Sequence, residues 1–371
     1  MDKFVRNLWY VAGWSDDVPS GQIVSRVIAG EPIALYRRND GSLVGLADQC
    51  PHRQAPLSMG RLEGDDLRCM YHGLKFAASG RCVEIPGQSR IPASAKVKTY
   101  AVAEQNSWIW VWLADPGSAD VRRIPRSIGL QDPAWSLRAQ TFDYAANYQL
   151  INDNLTDFSH LAFVHEKTIG RGSKHAESQA EVHEIEQGIV ISRWHESVPS
   201  SFPNARESVT DTWTYYSYLA PGIMYKVRAL HPVGTATRLA HSAPPDDMEP
   251  LYASMNCHAV TPIDAASSRY FFSLGPRRLD DTDGEVSQRM YDLANMAFRE
   301  DKVMIEAQQR NLQRVPPPVR PIIIGHDKGP VLMRRAIERL IRAEAPVSPA
   351  GNEQSSLESH LSVADGTDIT A

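Results

Sequence analysis

The sequence predicts an α+β protein with two domains, an all-β domain at the N-terminus and a mixed domain of strands and helices behind it. Residues 1–118 contain short alternating or apolar runs separated by turn-forming residues such as Pro86-Gly87, a pattern typical of strands. The later part of the chain combines strand-like runs with helical periodicity. A chain of 371 residues is long enough for two such domains, each with its own core.

The predicted domain limits follow changes in composition along the chain. Residues 119–140 follow Asp115-Pro116-Gly117 and contain Pro125, and we expect them to connect a domain over 1–118 with a domain over 141–344. Residues 345–371 are rich in Ser, Ala, Glu and Asp and poor in apolar residues, so we expect a disordered tail there.

The individual strands and helices are predicted from the same patterns. In the first domain we expect strands at Gln22–Ala29, Glu31–Tyr36, Leu43–Ala47, Lys98–Val102 and Ser107–Leu113. In the second domain we expect strands at Ile189–Glu196, Thr210–Leu219, Gly222–Leu230, Leu251–Val260 and Ser268–Leu274. The expected helices are Asn147–Val164, one from about Gly284 to Gln313, and one from about Pro330 to Ala343.

Composition and charge argue against several classes of protein. The net charge of −5 argues against nucleic acid as a partner. No apolar run approaches the ~20 residues that a membrane span needs, and Met1–Arg6 lacks the apolar segment of a signal peptide. The 4 cysteines are too few for a disulfide framework, so we expect a cytoplasmic protein.

Two short clusters of metal-binding side chains lie in the predicted all-β domain. The first is Cys50-Pro51-His52, and the second, after sixteen intervening residues, is Cys69-Met70-Tyr71-His72. Cysteine thiolates bind iron–sulfur clusters, and in the Rieske type two histidines replace two cysteines on one iron. Each loop can give its Cys to one iron and its His to the other, so Cys50, His52, Cys69 and His72 are predicted to hold a [2Fe-2S] cluster. The alternative is a structural Cys2His2 zinc site, although zinc fingers usually pair Cys with Cys and His with His.

A second set of possible ligands lies in the helix-like stretch. Asp157 and His160 are three residues apart and would share a helix face. His160 and His165 are five residues apart, about 140° around an ideal helix. Both can bind one metal only if the helix ends or is distorted between them, and such distortions are often found at functional sites. Two histidines alone are weak support for a metal site, because surface and core histidines are common.

The long C-terminal helix offers a third ligand. Asp301 falls on its apolar stripe, which comprises Met290, Ala294, Ala297, Phe298, Met304 and Ile305. Three neighbouring acids project roughly 100–180° away from that stripe: Asp292, Glu300 and Glu306. A carboxylate that faces a core needs a buried ion pair or a metal. With two histidines upstream we favour the metal, so that His160, His165 and Asp301 form a 2-His-1-carboxylate triad for mononuclear Fe(II).

With both motifs present, the chain resembles the Rieske non-haem iron oxygenases. Within them it is similar to the oxygenase components of vanillate O-demethylase, dicamba O-demethylase and the chloroacetanilide N-dealkylases. The resemblance covers almost the whole chain apart from the tail, and it is carried by Asn7–Ala12, Cys50–Arg53, Cys69–Leu74, the Asp157–His165 motif and Glu300–Lys302. It implies an N-terminal Rieske domain and a C-terminal helix-grip domain, an antiparallel sheet whose helices enclose the mononuclear iron.

The resemblance also implies a head-to-tail homotrimer in which one subunit's cluster serves the iron of the next. Asp157 would then bridge His160 and His72 of the partner subunit. Metal-bound imidazoles usually donate their second N–H to a carboxylate, which suits this role. The alternative is that Asp157 only orients His160 within one subunit.

The electrons are expected to come from other proteins. The chain contains no Gly-x-Gly-x-x-Gly dinucleotide motif and no flavin motif. A ferredoxin and a separate NAD(P)H-dependent reductase should therefore supply them, so that NAD(P)H is used indirectly. A docking face for an acidic ferredoxin, or an ordinary solvated face, is predicted at Arg53, Arg61, Arg68 and Lys75.

The activity that the resemblance implies is O2-dependent oxidation of a small aromatic compound. Hydroxylation of an O- or N-alkyl carbon would release an aldehyde and give net dealkylation, often demethylation. Cis-dihydroxylation of an aromatic ring is the alternative within the same enzyme class, and a helix-grip ligand-binding protein without turnover is the alternative outside it. His258 is a candidate for contact with the substrate, with core packing as an equal alternative.

Overall fold

In the N-terminal part of the chain, ten strands form two antiparallel sheets. The computed structural model describes residues 4–170, 180–200, 202–203, 205–315 and 322–344. The strands are β1 Trp9–Trp14, β2 Ile23–Ile28, β3 Glu31–Arg37, β4 Leu43–Ala47, β5 Arg61–Glu63, β6 Asp66–Arg68, β7 Lys75–Phe76, β8 Cys82–Glu84, β9 Thr99–Gln105 and β10 Trp108–Trp112. The larger sheet has the order β1-β10-β9-β4-β3-β2 and the smaller one β5-β6-β7-β8.

In the C-terminal part, the described residues form one antiparallel sheet of seven strands with helices against it. The strands are β11 Arg138–Tyr144, β12 Glu181–Ile185, β13 Gly188–Pro199, β14 Val209–Leu219, β15 Ile223–His231, β16 Tyr252–Pro262 and β17 Ser268–Pro276. Their order is β11-β17-β16-β15-β14-β13-β12. The helices are α1 Tyr148–Thr156, α2 Leu161–Val164, α3 Thr235–Arg238, α4 Glu285–Arg314 and α5 Lys328–Glu344. Helix α4 packs against β17 and β11, and α1 contacts both α4 and α5.

The two faces of the C-terminal sheet have different neighbours, because successive side chains of a strand point to opposite faces. One face packs against the tryptophan-rich strand β10, and Trp110, Tyr225 and Cys257 are members of this shared apolar cluster. Trp108, Trp110 and Trp112 are at most 1% exposed. Each such aromatic side chain buries roughly 150–250 Å², so this contact contributes much of the stability of the arrangement. The opposite face of the sheet is left for the helices and for a cavity beneath them.

Most predicted elements are present, with ends displaced by a few residues. The sequence patterns missed β1, β12 and the short strands β5–β8. They also missed β11, which begins at Arg138 inside the predicted connector 119–140. Strand β1 is apolar on both sides and buried, so it has no alternation to recognise. The domain limits 1–118 and 141–344 stay a prediction, and the predicted tail at 345–371 lies outside the described residues.

The prediction of a single helix at Asn147–Val164 is wrong. Helix α1 ends at Thr156 and α2 begins at Leu161. The Asp157 carboxylate accepts hydrogen bonds from the backbone N–H and the hydroxyl of Ser159, both at 2.8 Å. Such local side-chain bonds compete with helix continuation. Asp157 and His160 therefore do not share a helix face. The same break allows His160 and His165 to reach one metal, as their spacing in the sequence required.

Candidate functional site

The two Cys/His loops have the same backbone hydrogen bonds. Each Cys N–H donates to the carbonyl five residues later, at 2.9 Å for Cys50 and 2.8 Å for Cys69. Each Cys carbonyl accepts from the N–H four residues later, that of Gln54 at 2.8 Å or Gly73 at 3.0 Å. Gln54 and Gly73 both have positive φ, 57° and 78°. The loops are thus two copies of one turn, and each presents one thiol and one imidazole.

The four side chains divide into a thiol pair and an imidazole pair. Cys50 and Cys69 are buried and not in disulfides, at 2% and 1% exposed. His52 and His72 are exposed, and their ring centroids are 4.5 Å apart. Burial raises the pKa of Cys50, and a hydrogen bond from the backbone N–H of His52 opposes this. The division is what a Rieske cluster requires, with thiolates on one iron and imidazoles on the other.

A single zinc ion fits these loops less well. Zinc lies about 2.0–2.3 Å from its ligand atoms, which brings a tetrahedral set within about 4 Å of one another. Among the residues that the structure describes, at least three possible ligand atoms converge within 4.8 Å at one place, His160, His165 and Asp301. The four loop side chains do not converge in this way, so a binuclear cluster suits them better.

Most of the cations around the loops are already paired with acids. Arg68 donates to Glu63 at 2.7 Å and to Glu84 at 2.8 Å, and it holds the pKa of each carboxyl at about 2. Lys75 lies 2.9 Å from Glu84 and Arg61 lies 2.6 Å from Glu63. These ion pairs favour the alternative of an ordinary solvated face, and the docking face stays a prediction. These three cations are ion-paired beside the loops that would hold the cluster, and Arg53 is exposed, as is Arg61.

The mononuclear centre is formed where α4 passes the break between α1 and α2. Asp301 is 5% exposed and lies on the buried stripe of α4 with Ala294, Ala297 and Ile305. Its Oδ1 is 3.1 Å from His165 Nε2 and 3.5 Å from His160 Nε2. The helical period thus predicted the direction of Asp301 correctly. Met304, which we also placed on the stripe, is 56% exposed and faces away from it.

Both imidazoles are held so that the Nε2 atom faces Asp301. His160 Nδ1 lies 2.7 Å from the Asp157 carbonyl oxygen, and His165 Nδ1 lies 2.8 Å from Glu300 Oε2. Because both partners only accept, each Nδ1 must carry the proton. Burial lowers the pKa of His160, which favours the neutral ring that a metal needs. At His165 burial lowers the pKa, but the hydrogen bonds and charges of Asp301 and Glu300 outweigh it and the net pKa is raised, so a metal there would displace a proton from Nε2. With both Nε2 atoms deprotonated, two imidazoles and one carboxylate suit non-haem Fe(II) with open positions.

Sequence reasoning missed two residues of this centre. Glu300, which the helical wheel directs away from the apolar stripe, orients His165 and also accepts a hydrogen bond from the Thr168 hydroxyl at 2.7 Å. Asn154 donates to Asp301 Oδ1 at 2.9 Å, and its amide nitrogen is 3.2 Å from His160 Nε2. The runs Asn152–Asn154 and Glu300–Asp301 were visible as polar clusters. Nothing in their spacing indicated contact with a ligand.

Asp157 contacts His160 differently from the prediction. Its backbone carbonyl, and not its carboxylate, lies at His160 Nδ1. The carboxylate is bonded to Ser159 and is half-buried at the helix break. Within this subunit Asp157 therefore contacts His160 through its main chain.

A cavity of about 470 Å³ adjoins the three ligands. Its apolar part includes Leu155, Phe158, Leu161, Met224, Leu274 and Phe298. His258 also lines it and is 2% exposed, with Nδ1 2.6 Å from the Tyr270 hydroxyl. Burial lowers the pKa of His258 to about 3, so the ring is neutral. Its Nε2 has no hydrogen-bond partner among the described residues, which leaves that atom for a ligand.

An N-terminal Rieske-type loop pair and a 2-His-1-carboxylate centre on a helix-covered antiparallel sheet define a Rieske non-haem iron oxygenase. Residues 8–101 match the Rieske [2Fe-2S] domain, and residues 144–343 match the C-terminal domain of the vanillate O-demethylase oxygenase. The chain belongs to the family of Rieske oxygenase components with this C-terminal domain. Its cofactors are a [2Fe-2S] cluster and a mononuclear iron, and the residues described above fit both.

Relatives cover nearly the whole chain. The iron–sulfur subunit of the toluene-4-sulfonate monooxygenase system of Comamonas testosteroni is 36% identical over 92% of this chain and 98% of its own length. The oxygenase component of dicamba O-demethylase from Stenotrophomonas maltophilia is 32% identical over 92% of this chain and 99% of its own. The crystal structure of dicamba monooxygenase bound to 3,6-dichlorosalicylic acid superposes with a TM-score of 0.83, at 32% identity, over 93% of this chain and 99% of that one.

Proposed function

We propose that this chain is the terminal oxygenase of a multicomponent monooxygenase that dealkylates or hydroxylates a small aromatic compound with O2. The observation that carries the proposal is the convergence of His160, His165 and Asp301 on the wall of an apolar cavity. Iron bound there supplies reductive activation of O2. Dicamba O-demethylase and the chloroacetanilide N-alkylformylase oxygenase, 32% and 30% identical to this chain, support dealkylation by their names.

The proposed reaction is a monooxygenation, in which one atom of O2 enters the substrate and the other becomes water. One atom of O2 replaces a C–H bond of the alkyl carbon by C–OH, and the other leaves as water after two electrons and two protons are taken up. For a methoxy group the hydroxylated carbon then loses its bond to the ether oxygen. The products are formaldehyde and a phenol.

The residues of the cavity bind and orient the substrate. Phe158, Leu161 and Phe298 pack around an aromatic ring and exclude water, and the neutral His258 offers Nε2 to a polar substituent. Glu300 and the Asp157 carbonyl hold the two ligand imidazoles in place. Removal of water from such a site strengthens its polar interactions.

The proposed assembly is a head-to-tail homotrimer in which His72 of the partner subunit approaches Asp157. Two observations support it. His72 is exposed at the tip of its loop, next to the ring of Tyr71 at 4.1 Å. The Asp157 carboxylate lies on the break beside His160. Electrons would then pass from the cluster through Asp157 and its carbonyl to the His160 ring.

A ferredoxin and an NAD(P)H-dependent reductase are the proposed electron donors, and the cytoplasm is the proposed location. Relatives are described as components of multicomponent systems, which supports the first point. The unpaired state of all 4 cysteines supports the second. No helix in the described part of the chain is long and apolar enough to cross a membrane.

The test is turnover by the protein with both metal centres, a ferredoxin, a reductase, NADH and 18O2. Methoxybenzenes, N-alkylanilines and methylbenzenes serve as substrates. Formation of formaldehyde and a phenol in equal amounts, or of a benzylic alcohol that contains one labelled oxygen, supports the proposal. A cis-diol with two labelled oxygens would assign ring dihydroxylation instead. Tight binding of the aromatic compounds without any oxidation would favour a ligand-binding protein.

A further inference from the structure

One side chain ties together the two ends of the second Cys/His loop. Arg68 directly precedes Cys69, and its Nη1 donates a 2.6 Å hydrogen bond to the carbonyl oxygen of Gly73, the residue after His72. The Gly73 N–H in turn donates to the Cys69 carbonyl at 3.0 Å. The Arg68 side chain is 12% exposed. The turn that presents Cys69 and His72 is therefore closed by its own backbone and held by a largely buried cation.

Arg68 is itself fixed by two carboxylates. Its Nε and Nη2 donate to the two oxygens of Glu63, each at 2.7 Å, and Nη2 also donates to Glu84 at 2.8 Å. Because Nη1 binds Gly73, every nitrogen of the guanidinium has a partner. Two parallel bonds to one carboxylate restrict the plane of a guanidinium. The group therefore has little freedom to turn away from the loop.

The charged side chains form a row across the short strands β5–β8. Arg61, Arg68 and Lys75 are paired in register from β5 to β7, and Glu84 on β8 is paired with Lys75. Like charges opposite each other on neighbouring strands are destabilising. Glu63 bridges Arg61 and Arg68, and Glu84 bridges Arg68 and Lys75. Three cations against two carboxylates leave one positive charge in excess beside the loop.

The first Cys/His loop has the same turn without this cation. In the shared hydrogen-bond pattern Gln49 takes the place of Arg68, and Gln54 takes the place of Gly73. Among the described residues no side chain donates to the Gln54 carbonyl, and Gln49 is exposed. The turn itself therefore forms without an arginine, so backbone geometry alone does not account for Arg68.

We infer that Arg68 is a positioning residue for electron transfer, which holds His72 in place through the Gly73 carbonyl and favours the reduced cluster by its charge. A positive charge near a redox group stabilises the form that carries the extra electron. The potential of an iron–sulfur cluster depends on net charge and hydrogen bonding around it. The inference rests on the proposed function only in that electrons leave the cluster through His72 toward the partner subunit.

Redox titration of the protein with both metal centres tests the inference without turnover. Each cluster takes up one electron, supplied by dithionite through mediator dyes, and the visible spectrum gives the ratio of reduced to oxidised cluster. Arg68→Met should lower that ratio about 10-fold at a fixed potential, because one positive charge is lost. Glu84→Gln should raise it, since a negative charge is lost while Glu63 still holds Arg68. A packing role alone would not shift the potential in opposite directions in the two variants.

Two further variants separate the charge of Arg68 from its hydrogen bonds. Arg68→Lys keeps the charge and loses the paired bonds to Glu63, so the potential should stay close to that of the unmodified protein. The paramagnetic resonance spectrum of the reduced cluster, which reports the geometry of its ligands, should change in this variant. Arg122→Met is the matched control, because Arg122 is paired with Asp120 and is 87% exposed. It should change neither the potential nor the resonance spectrum.

The possible results are distinct. An unchanged potential in Arg68→Met with its full sulfide content would overturn the inference. If Arg68→Met loses its sulfide, Glu84→Gln decides, and a potential that does not rise there overturns the inference equally. An unchanged resonance spectrum in Arg68→Lys would contradict the positioning of His72. If the potentials shift as expected and no aromatic compound is oxidised, the inference stands and the proposed function fails. If the potentials do not shift and an aryl ether is demethylated, the reverse holds.

Discussion

His165 is held from both sides by consecutive residues of one helix. Asp301 Oδ1 lies 3.1 Å from its Nε2, and Glu300 Oε2 lies 2.8 Å from its Nδ1. Side chains one residue apart on a helix diverge by about 100°, and the imidazole fits between them. The helix that supplies a ligand therefore also sets the tautomer and direction of a second ligand.

The first prediction concerns Glu300. Glu300→Ala should lower the affinity for the mononuclear iron about 10- to 100-fold, because His165 loses the acceptor that orients it. Competition with an iron chelator measures this, and the absorbance of the cluster should not change. Glu300→Gln keeps an oxygen acceptor and should recover most of the affinity. Asp292→Ala, on an exposed part of the same helix, is the control. Unchanged iron affinity in Glu300→Ala would show that this hydrogen bond has no role.

The second prediction separates the two metal centres. Asp301→Ala and His160→Ala should lose the iron that is present in excess of acid-labile sulfide, while the visible spectrum of the cluster persists. Cys50→Ser should do the opposite and lose sulfide and colour. The physical reason is that no side chain is shared between the two ligand sets within the chain. Iron retained in Asp301→Ala after chelation would contradict the assigned triad.

The third prediction concerns Asp157 as a route between subunits. Asp157→Asn keeps the backbone carbonyl at His160, so both metals should stay bound and the cluster reducible. Transfer to the iron should nevertheless fail, and product formation in a single turnover should fall by at least about 10-fold, the loss expected when one hydrogen bond to a charged group is removed. Ser159→Ala is the control, because it removes a partner of the carboxylate and not the carboxylate itself. Single-turnover product at the normal rate in Asp157→Asn would leave Asp157 with a structural role alone.

The fourth prediction concerns the second cluster loop. Gly73 has φ of +78°, and a Cβ there would meet Pro86 Cγ at 2.7 Å. Gly64 has φ of +63° with nothing within 4 Å of such a Cβ. Gly64→Ala should cost about 1–2 kcal/mol of unfolding free energy from backbone strain alone. Gly73→Ala should cost more and also reduce sulfide per chain. Denaturant unfolding and sulfide analysis measure the difference, and equal effects would exclude the Pro86 contact as a cause.

Local patterns in the sequence predicted the candidate ligands of both centres. Each Cys/His pair lies within a few residues, so its chemistry is visible without the fold. Asp301 was placed correctly because helical periodicity decides which side of α4 is buried. The alternation of apolar and polar residues also predicted strands of the C-terminal sheet. The same pattern showed the polar residues of β15 but not which groups surround them.

The tertiary structure decided what depends on residues far apart in the chain. Glu300 contacts His165 although the two are 135 positions apart in the sequence, and Asn154 contacts Asp301 although they are 147 positions apart. The break at Asp157 depends on local hydrogen bonds that compete closely with a helix, which periodicity does not resolve. Whether Arg68 is free or paired, and whether Lys226 faces a cavity or solvent, follows from strand register and from which face of a sheet is covered. Register is set by packing of the whole domain, and so it lies beyond any short stretch of sequence.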